Sequence, residues 1–441
     1  VSVPDASWDE LHALCESEGV EATVIGRFTP TEQLKLTYDG HVVGELPMAF
    51  LHDGRPPVVR DAEYTPPAAK PFDTPRRDDH TDDLLAILGS LNVASKEAVI
   101  RQYDHEVQAG SVVKPLVGAQ NDGPGDAAIV RPKLSTQRGL VIGCGINPCY
   151  GDLDPYHMAA SAIDEAIRNC VAVGADPSRI ALLDNFCWGD CERSETLGAL
   201  TRAAIACHDL SLVLEAPFVS GKDSLNNEFS YFDSAGQKQT IAIPSTLLIS
   251  AMGQIDDVAK AVTMDFKRVD SRVYVVGVTR DELGGSHFGL VNDLDGGEVP
   301  KVDSDAAKAT FAAMHRAIAG GTVLACHDAS EGGLAVAIAE MAFAGGIGVE
   351  ADLADLRFAG DFIDSDQQRL AALFSESNTR FACEVAEDQA AAFEAALGDT
   401  PHAVVGRTYD NTSLRLKWGG VQVVGADLPM LKAAWQDALR I

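Results

Sequence analysis

The segment 217–231, PFVSGKDSLNNEFSY, combines the residue types that bind a phosphate group and its counter-ion. A short apolar run leads into five consecutive positions with a glycine, a cation, a carboxylate and two hydroxyls: Ser220, Gly221, Lys222, Asp223 and Ser224. Gly221 lets the backbone approach a ligand, Lys222 supplies a point charge, and Asp223 is a hard oxygen ligand. We therefore predict a turn that binds phosphate and magnesium; a surface turn at a strand end is the alternative. The glycine spacing is not that of a Walker motif.

Three further oxygen donors lie earlier in the chain. Asp126 stands between a glycine-rich loop and an apolar strand, and Glu165 and Asn169 are one helical turn apart. On a helical wheel Glu165 and Asn169 point away from the apolar stripe, so a solvated helix face is the alternative. Carboxylate and amide oxygens suit magnesium and not zinc. We expect Asp126, Glu165, Asn169 and Asp223 to bind one magnesium ion.

Two other segments place polar groups where a ligand would bind. Asp184 ends an apolar strand predicted at 180–183, a position where open sheets place ligand groups, although it would also serve as a helix cap. The segment 327–333, HDASEGG, offers Ser330 as a helix cap and glycine amides for an anion. A capped helix packed through its glycines is an equally good interpretation. No residue is assigned as catalytic.

The composition limits the classes of function. The 441 residues carry a formal net charge of −30, so a nucleic acid or an anionic membrane would be repelled. Nine cysteines occur without CxxC pairs, which indicates reduced thiols in a cytoplasmic protein. No apolar run is expected to reach the length of a membrane span. We therefore expect a cytoplasmic protein with no nucleic-acid or membrane partner.

A repeat connects the two ends of the chain. Residues 24–43 match residues 404–423 at a constant offset of 380, and an LPM triplet follows each copy. Both copies follow a helix-like stretch and read as strand, turn and strand. Chance similarity between two common units is the alternative. We expect a duplicated domain whose first copy is cut off, so that 1–65 is its C-terminal remnant.

The rest of the chain reads as a linker and two domains. A proline-rich, charged linker extends to about residue 80, and alternating helices and strands occupy 75–256. A second domain of mixed helices and strands occupies 257–441. The predicted helices include 95–108 and 154–174, and 199–214 is predicted as a helix followed by a strand. The expected fold class is α+β.

Nine motifs occur in an order that resembles formylglycinamide ribonucleotide amidotransferase, the synthetase component of phosphoribosylformylglycinamidine synthase. They are RQYDHEV (101–107), PGDAAIV (124–130), DPY (154–156), EAIRN (165–169), DNFCWG (184–189), SGKDSLNNE (220–228), LGGS (283–286), HDASEGGLAVAIAE (327–340) and FSES (374–377). The resemblance covers nearly the whole chain and matches the second half of the family's synthetase. It implies an aminoimidazole ribonucleotide synthetase-like N-domain, whose mixed sheet with helices pairs into a barrel, followed by an α+β C-domain.

The resemblance also implies an activity. It implies ATP-dependent amidation of formylglycinamide ribonucleotide in de novo purine biosynthesis, with ATP and Mg²⁺ as cofactors and ammonia from a glutaminase. By motif position Asp184 and Gly221 resemble ATP contacts, and Ser224 resembles a substrate contact. The magnesium ligands by the same reasoning are Asp126, Glu165, Asn169 and Asp223. Small bacterial forms carry an asparagine ligand where this chain has Lys222, so the metal role moves to Asp223.

The implied partners follow from the same resemblance. They are the N-terminal half of the synthetase, a glutaminase subunit or domain, and a second copy that would pair through the N-domain. The family's catalytic histidine belongs to the N-terminal half. Two alternatives remain: a nucleotide-loaded structural module without catalysis, and a related aminoimidazole ribonucleotide synthetase-like enzyme.

Overall fold

A computed structural model describes residues 1–439, with residue 107 described by its backbone alone. The chain divides into two compact units, Val1–Arg60 and a larger unit that begins at Asp61. The first unit has helix α1 (Trp8–Ser17), the antiparallel strands β1 (Gln33–Tyr38) and β2 (His41–Pro47), and helix α2 (Met48–Asp53).

The larger unit begins with a lobe built on a six-stranded sheet, which we call the first lobe. Its helices are α3 (Thr81–Leu88), α4 (Glu97–Ile100), α5 (Pro148–Gly151), α6 (Pro155–Ala172) and α7 (Ser194–Leu214). Its strands are β3 (Ser111–Val113), β4 (Ala127–Val130), β5 (Gly139–Ile146), β6 (Ala181–Cys187), β7 (Phe218–Ser224), β8 (Glu228–Phe232), β9 (Lys238–Ala242) and β10 (Thr246–Ile255). The sheet order is β3-β4-β5-β10-β6-β7, and β8 and β9 form a separate hairpin. Only β6 and β7 are parallel neighbours in this sheet among the described residues.

Two glycines bring helix α6 close to the sheet. Gly143 and Gly145 lie on the face of β5 that contacts α6, and a Cβ at Gly145 would lie 2.0 Å from the carbonyl oxygen of Ala162. Nearly every residue of α6 is buried, including its polar ones. The glycines therefore fix how α6 lies on the sheet, and with it the side chains that α6 carries.

The second lobe is built on a seven-stranded sheet of order β12-β14-β11-β15-β13-β16-β17. Its strands are β11 (Arg272–Val276), β12 (Ala325–Asp328), β13 (Gly348–Asp352), β14 (Phe381–Val385), β15 (His402–Tyr409), β16 (Ser413–Trp418) and β17 (Val421–Asp427). Its helices are α8 (His287–Val291), α9 (Ser304–Ala319), α10 (Gly333–Gly345), α11 (Ser365–Phe374), α12 (Ala390–Leu397) and α13 (Leu428–Asp437). Both lobes thus combine mixed sheets with helices, as the sequence predicts.

The two copies of the repeat form the same hairpin. Leu36 pairs with Gly44 in the first copy and Leu416 pairs with Val424 in the second, and a register shift follows at the same place in both. Their surroundings differ, because Leu416 is fully buried and Leu36 is 53% exposed. The local sequence therefore sets the register of the hairpin in both environments.

Three predicted elements are wrong. The predicted turn at 220–224 belongs to strand β7, and the predicted helix at 95–108 is reduced to Glu97–Ile100. The stretch 199–214, predicted as a helix and a strand, is part of the single helix α7. By length and composition α7 would also suffice to cross a membrane, contrary to our expectation for apolar runs, and in this fold it packs against α6 and α9.

Candidate functional site

A cleft of about 250 Å³ lies between the two lobes. The first lobe contributes Asp126, which directly precedes β4, and residues of α6. The second lobe contributes the end of β12 and the loop that leads into α10. The polar residues that line the cleft are Asn92, Asp126, Glu165, Asn169, His327, Asp328, Ser330, Glu331 and Glu340. Oxygen donors therefore predominate.

Asp126 is fixed by the second lobe. Its Oδ1 accepts hydrogen bonds from Nδ1 of His327 at 2.8 Å and from the backbone N–H of Asp328 at 2.9 Å. Nε2 of His327 contacts Glu340 at 2.9 Å, so the imidazole is held on both sides. Oδ2 of Asp126 is buried and has no hydrogen-bond partner among the described residues. A buried unpaired carboxylate oxygen is costly, and a cation would satisfy it.

The two donors on α6 are held in the same way. Oε2 of Glu165 accepts from the backbone N–H of Ile146 at 3.0 Å and from the side-chain amide of Asn147 at 2.9 Å. The amide nitrogen of Asn169 donates to the carbonyl of Cys144 at 2.9 Å. Each side chain thus has one polar atom bound to β5 or the residue after it. The remaining oxygen, Oε1 or Oδ1, receives no hydrogen bond within the described part of the chain.

Asp328 completes the set. Its Oδ2 contacts Nε of Arg168 at 3.3 Å and accepts a hydrogen bond from Ser330. Its Oδ1 lies 3.6 Å from Nδ1 of His327. Three ligand atoms lie within 4.8 Å of one another, which is the spacing of a metal-binding group; they come from Asp126, His327 and Asp328.

The electrostatics of the cleft favour a cation. Burial raises the pKa of Asp126. Burial also holds the pKa of Glu165 well above its usual range, and the carboxylate of Glu331 raises the pKa of Glu165 further. Burial likewise raises the pKa of Glu331 to about 7. Burial also acts to lower the pKa of His327, but the charges of Asp126 and Glu340 outweigh it and raise that pKa well above its usual value. A divalent ion would relieve the repulsion between these carboxylates.

The residues present fit magnesium. Asp126, Glu165, Asn169 and Asp328 each offer one oxygen that the protein leaves free and one polar atom that the protein holds. Magnesium prefers hard oxygen ligands and retains some of its waters, so it does not need a closed protein cage.

The structure brings together three of the four predicted magnesium ligands. Asp126, Glu165 and Asn169 line the cleft, whereas Asp223 lies on β7 and does not line it. The sheet places β5, β10 and β6 between β4 and β7, so β4 and β7 are four strand spacings, or roughly 19 Å, apart. Asp328, which was not predicted, lines the cleft instead.

The other predicted site residues lie together at that far edge. Asp184 and Gly221 are directly opposite each other on the parallel strands β6 and β7. Ser224 ends β7 and accepts a hydrogen bond from Lys222. Burial raises the pKa of Asp184, and the charge of Asp223 adds to this effect. Asp184, Gly221, Asp223 and Ser224 therefore form a second polar group, which we call the edge cluster.

Sequence reasoning missed Asp328, Glu331 and Lys96. The motif HDASEGG contains a signal for Asp328 and Glu331, but its serine and glycines predict a helix cap and an anion site and do not single out either carboxylate. Nζ of Lys96 donates to the carbonyl of Asn92 at 3.0 Å. Burial lowers the pKa of Lys96, and Glu331 and Glu340 oppose this shift. Asn92 lines the cleft, so Lys96 places a cation next to one of its lining residues.

Glu376 of the FSES motif supports the loop before α10. Its Oε1 accepts from the backbone N–H groups of Gly332 at 2.7 Å and His287 at 2.9 Å. Gly332 and Gly333 both have positive φ, which an L side chain rarely adopts. A Cβ at Gly333 would lie 2.5 Å from the carbonyl of Ser375. Gly332 is the N-cap of α10 and Gly333 is its first residue, so the predicted cap at Ser330 is wrong, and the helix begins at glycines that pack closely against their neighbours.

Comparison with known families agrees with this architecture. The model of the AIR synthase related protein N-terminal domain matches residues 124–242, and that of the AIR synthase related protein C-terminal domain matches residues 268–419. The two matches follow the two lobes and together cover more than half of the chain. The chain therefore carries both the N-terminal and the C-terminal domain of the AIR synthase related proteins.

Within this class, the chain is similar to phosphoribosylformylglycinamidine synthase subunit PurL. The subunit from Moorella thermoacetica is 34% identical over 389 residues, which are 86% of this chain and 49% of that protein. The structure of T. maritima PurL complexed with FGAR has a TM-score of 0.58 at 17% identity and covers 79% of this chain and 52% of that one. T. maritima PurL complexed with ATP gives a TM-score of 0.52 at 16% identity and covers 73% and 48%. The chain therefore spans about half the length of these relatives.

Proposed function

We propose that this chain acts in the ATP-dependent amidation of formylglycinamide ribonucleotide to formylglycinamidine ribonucleotide, a step of de novo purine biosynthesis. The enzyme would be a C–N ligase that uses ammonia from a glutaminase. The relatives named PurL, and the T. maritima complexes with FGAR and ATP, support this assignment.

The observation that carries the proposal is the convergence of free oxygens in the cleft. Asp126, Glu165, Asn169 and Asp328 would hold magnesium, which would neutralise charge on a nucleotide polyphosphate. Ser330 lines the cleft, and Lys96 donates to Asn92, which also lines it, so both would contact the phosphates. The protein's own contribution is to fix these donors before the ligand arrives, so that little reorganisation is needed on binding.

We assign the edge cluster to a second nucleotide site. Asp184 and Gly221 would contact ATP, Asp223 would bind its metal, and Ser224 would contact the substrate. Its strand β7 is mostly exposed, and one face of the sheet leaves Ile142 and Met252 exposed. A second N-lobe of similar structure would cover that face and close the sheet into a barrel. The other half of the synthetase, or a second copy of this chain, would provide it.

The proposed organisation has three parts. Residues 1–65 would be the end of a preceding α+β domain, followed by a linker to about residue 80, with an N-domain at 75–256 and a C-domain at 257–441. The matching registers of the two hairpins support the duplication. The chain would then be the second half of a cytoplasmic synthetase that also requires the first half and a glutaminase.

A second candidate function is a nucleotide-loaded structural module. The donors of the cleft come from both lobes, so a nucleotide bound there would hold the lobes together. Slow exchange of a bound nucleotide during turnover by the assembled synthetase would support the structural module, and exchange at the turnover rate would support a catalytic site.

Isothermal titration with Mg-ATP and Mg-ADP tests the proposed site. The wild-type chain is expected to bind, Asp328→Asn to bind far more weakly, and the control Glu298→Gln, at an exposed carboxylate outside both the cleft and the edge cluster, to bind like the wild type. Binding that is lost with Asp223→Asn and kept with Asp328→Asn would reject the cleft as the site.

A further inference from the structure

Arg168 is a buried cation in the seam between the lobes. It lies on α6, and 2% of its side chain is exposed. A buried guanidinium is tolerated only when its donors are paired, because the loss of hydration is otherwise too costly. Its partners are acidic and polar groups from both lobes, and none of them is an exposed surface residue.

The guanidinium divides its donors among three side chains. Nη1 donates to Asp164 one turn earlier on α6, Nε lies 3.3 Å from Oδ2 of Asp328, and Nη2 donates to Ser330 at 2.8 Å. Ser330 in turn donates to the same Oδ2. Two donors therefore occupy Oδ2 of Asp328, and Oδ1 is the oxygen left on the side of Asp126 and His327.

The second lobe also binds Asp164, the partner of Arg168 on α6. Asp164 accepts hydrogen bonds from both the backbone N–H and the hydroxyl of Thr379. Thr379 has a φ of 59°, a left-handed conformation that is strained for a β-branched residue. The surrounding structure holds this strain in place, so Asp164 is presented to Arg168 in one orientation.

We propose that Arg168 is a positioning residue that orients Asp328 and Ser330 for the cation and phosphate of the cleft. The inference rests on the proposed metal site. The planar fork of arginine reaches three acceptors at fixed angles, which the point charge of lysine cannot do. Arg168 itself would touch neither metal nor nucleotide; it would act by holding the loop that begins at Asp328.

The substitution Arg168→Lys tests this role, with Arg380→Lys as its matched control. Arg380 is a second fully buried arginine, and its side chain bonds to Ser377, Thr279 and Ser375; it contacts the 328–333 loop only through its backbone carbonyl, which accepts from Ala329 and is retained in Arg380→Lys. Titration with Mg-ADP is expected to give about 10- to 100-fold weaker binding for Arg168→Lys, as is usual when a residue behind a metal ligand is changed. Arg380→Lys is expected to bind like the wild type. Equal losses in both variants, or none in Arg168→Lys, would overturn the proposal.

A smaller substitution covers the case in which Arg168→Lys does not fold. Ser330→Ala removes one hydroxyl that receives a bond from Arg168 and donates one to Asp328. Amide hydrogen exchange in the metal-free protein is expected to become faster within 328–333 in Ser330→Ala, and also in Arg168→Lys where that variant folds. Unchanged exchange in this loop would overturn the positioning role.

The same exchange experiment separates this inference from the proposed function. If the wild type binds no Mg-nucleotide, the proposed site fails, and loop exchange still decides whether Arg168 holds Asp328. If the wild type binds and both variants also bind as tightly, the proposed site stands and the role of Arg168 is rejected.

Discussion

Asp184 and Gly221 face each other across the parallel strands β6 and β7, and the missing side chain at Gly221 makes room for the Asp184 carboxylate. A Cβ at Gly221 would lie 2.3 Å from Oδ1 of Asp184. The two residues are paired in register at the exposed edge of the sheet. The position of the carboxylate therefore depends on a glycine that lies 37 residues later in the chain.

Gly221→Ala is expected to rotate the Asp184 carboxylate away from β7. Because the side chain can move and β7 is exposed, the free energy of unfolding should fall by less than about 1 kcal/mol. Nucleotide affinity at the edge cluster of the assembled synthetase should fall much more. Calorimetry and titration measure the two effects, and Val219→Ala, at an exposed residue of the same strand, is the control. Unchanged nucleotide affinity in Gly221→Ala would contradict the assignment of this cluster.

Magnesium with nucleotide is expected to raise the melting temperature of the chain. A ligand at 100 times its dissociation constant adds about 2.7 kcal/mol to the free energy of unfolding. Asp126→Asn should abolish this increase, because it removes the charge of a fully buried ligand oxygen. Thermal denaturation with and without Mg-ADP provides the measurement. A full shift in Asp126→Asn would exclude this residue as a ligand.

The stability of the metal-free protein is expected to fall as the pH rises from about 4.5 to 7. Burial raises the pKa of Glu331 to about 7, so the folded state holds a proton that the unfolded chain has already released. The stabilisation is complete below the unfolded pKa and is lost as the pH passes the folded pKa. The expected loss is at most about 3 kcal/mol.

Denaturant unfolding in the presence of a chelator measures this dependence. Glu331→Gln should have a flatter profile than the wild type, because the amide does not titrate. Glu298→Gln, at an exposed carboxylate, should leave the wild-type slope unchanged. A slope that is equal in the wild type and Glu331→Gln would assign the titration to other groups.

Gly145→Ala is expected to destabilise the first lobe severely. Its Cβ would lie 2.0 Å from the carbonyl oxygen of Ala162, a backbone atom of α6 that cannot move independently. Overpacking of this kind costs about 1–3 kcal/mol or more, and α6 would move with Glu165 and Asn169. Both the melting temperature and magnesium affinity should therefore fall. Gly89→Ala, whose nearest contact would be 3.5 Å, should leave both nearly unchanged.

Added salt is expected to raise the stability of the chain. A net charge of −30 produces self-repulsion in the folded state, and monovalent ions screen it. Thermal denaturation in potassium chloride from about 0.05 to 1 M should show a rising melting temperature. Sucrose at matched osmolality is a control for general solvent effects. A melting temperature that falls over this range would show that attractive ion pairs predominate.

Local pattern was enough to predict α6 and the two side chains on it that line the cleft. The apolar periodicity and the polar pair at one-turn spacing are properties of one short segment, so the helix and the placing of Glu165 and Asn169 on one side follow from sequence. Asp328, the residue that lines the cleft with them from the other lobe, did not follow from the sequence. Asp328 and Asp223 each belong to a glycine-containing motif, so the local sequence does not distinguish them. The order of the strands does, because β10 lies between β5 and β6 and this separates Asp223 from the cleft.

Pairing explains the wrong prediction at 220–224. Serine, glycine, lysine and aspartate are typical of turns, but their backbone groups pair with β6 and make the segment a strand. Such strand pairing depends on residues far away in the chain, so the local sequence does not predict it. The same holds for His327, whose imidazole is fixed by Asp126 from the other lobe.

The seam between the lobes limits how this molecule can change during evolution. One continuous network crosses the seam and consists of Thr379, Asp164, Arg168 and Asp328. A lobe exchanged with that of a distant relative would therefore supply only one of the two partners in each contact. Substitutions on the two sides are therefore expected to be inherited together, and recombination breakpoints should be rare between the codons for Asp164 and Thr379.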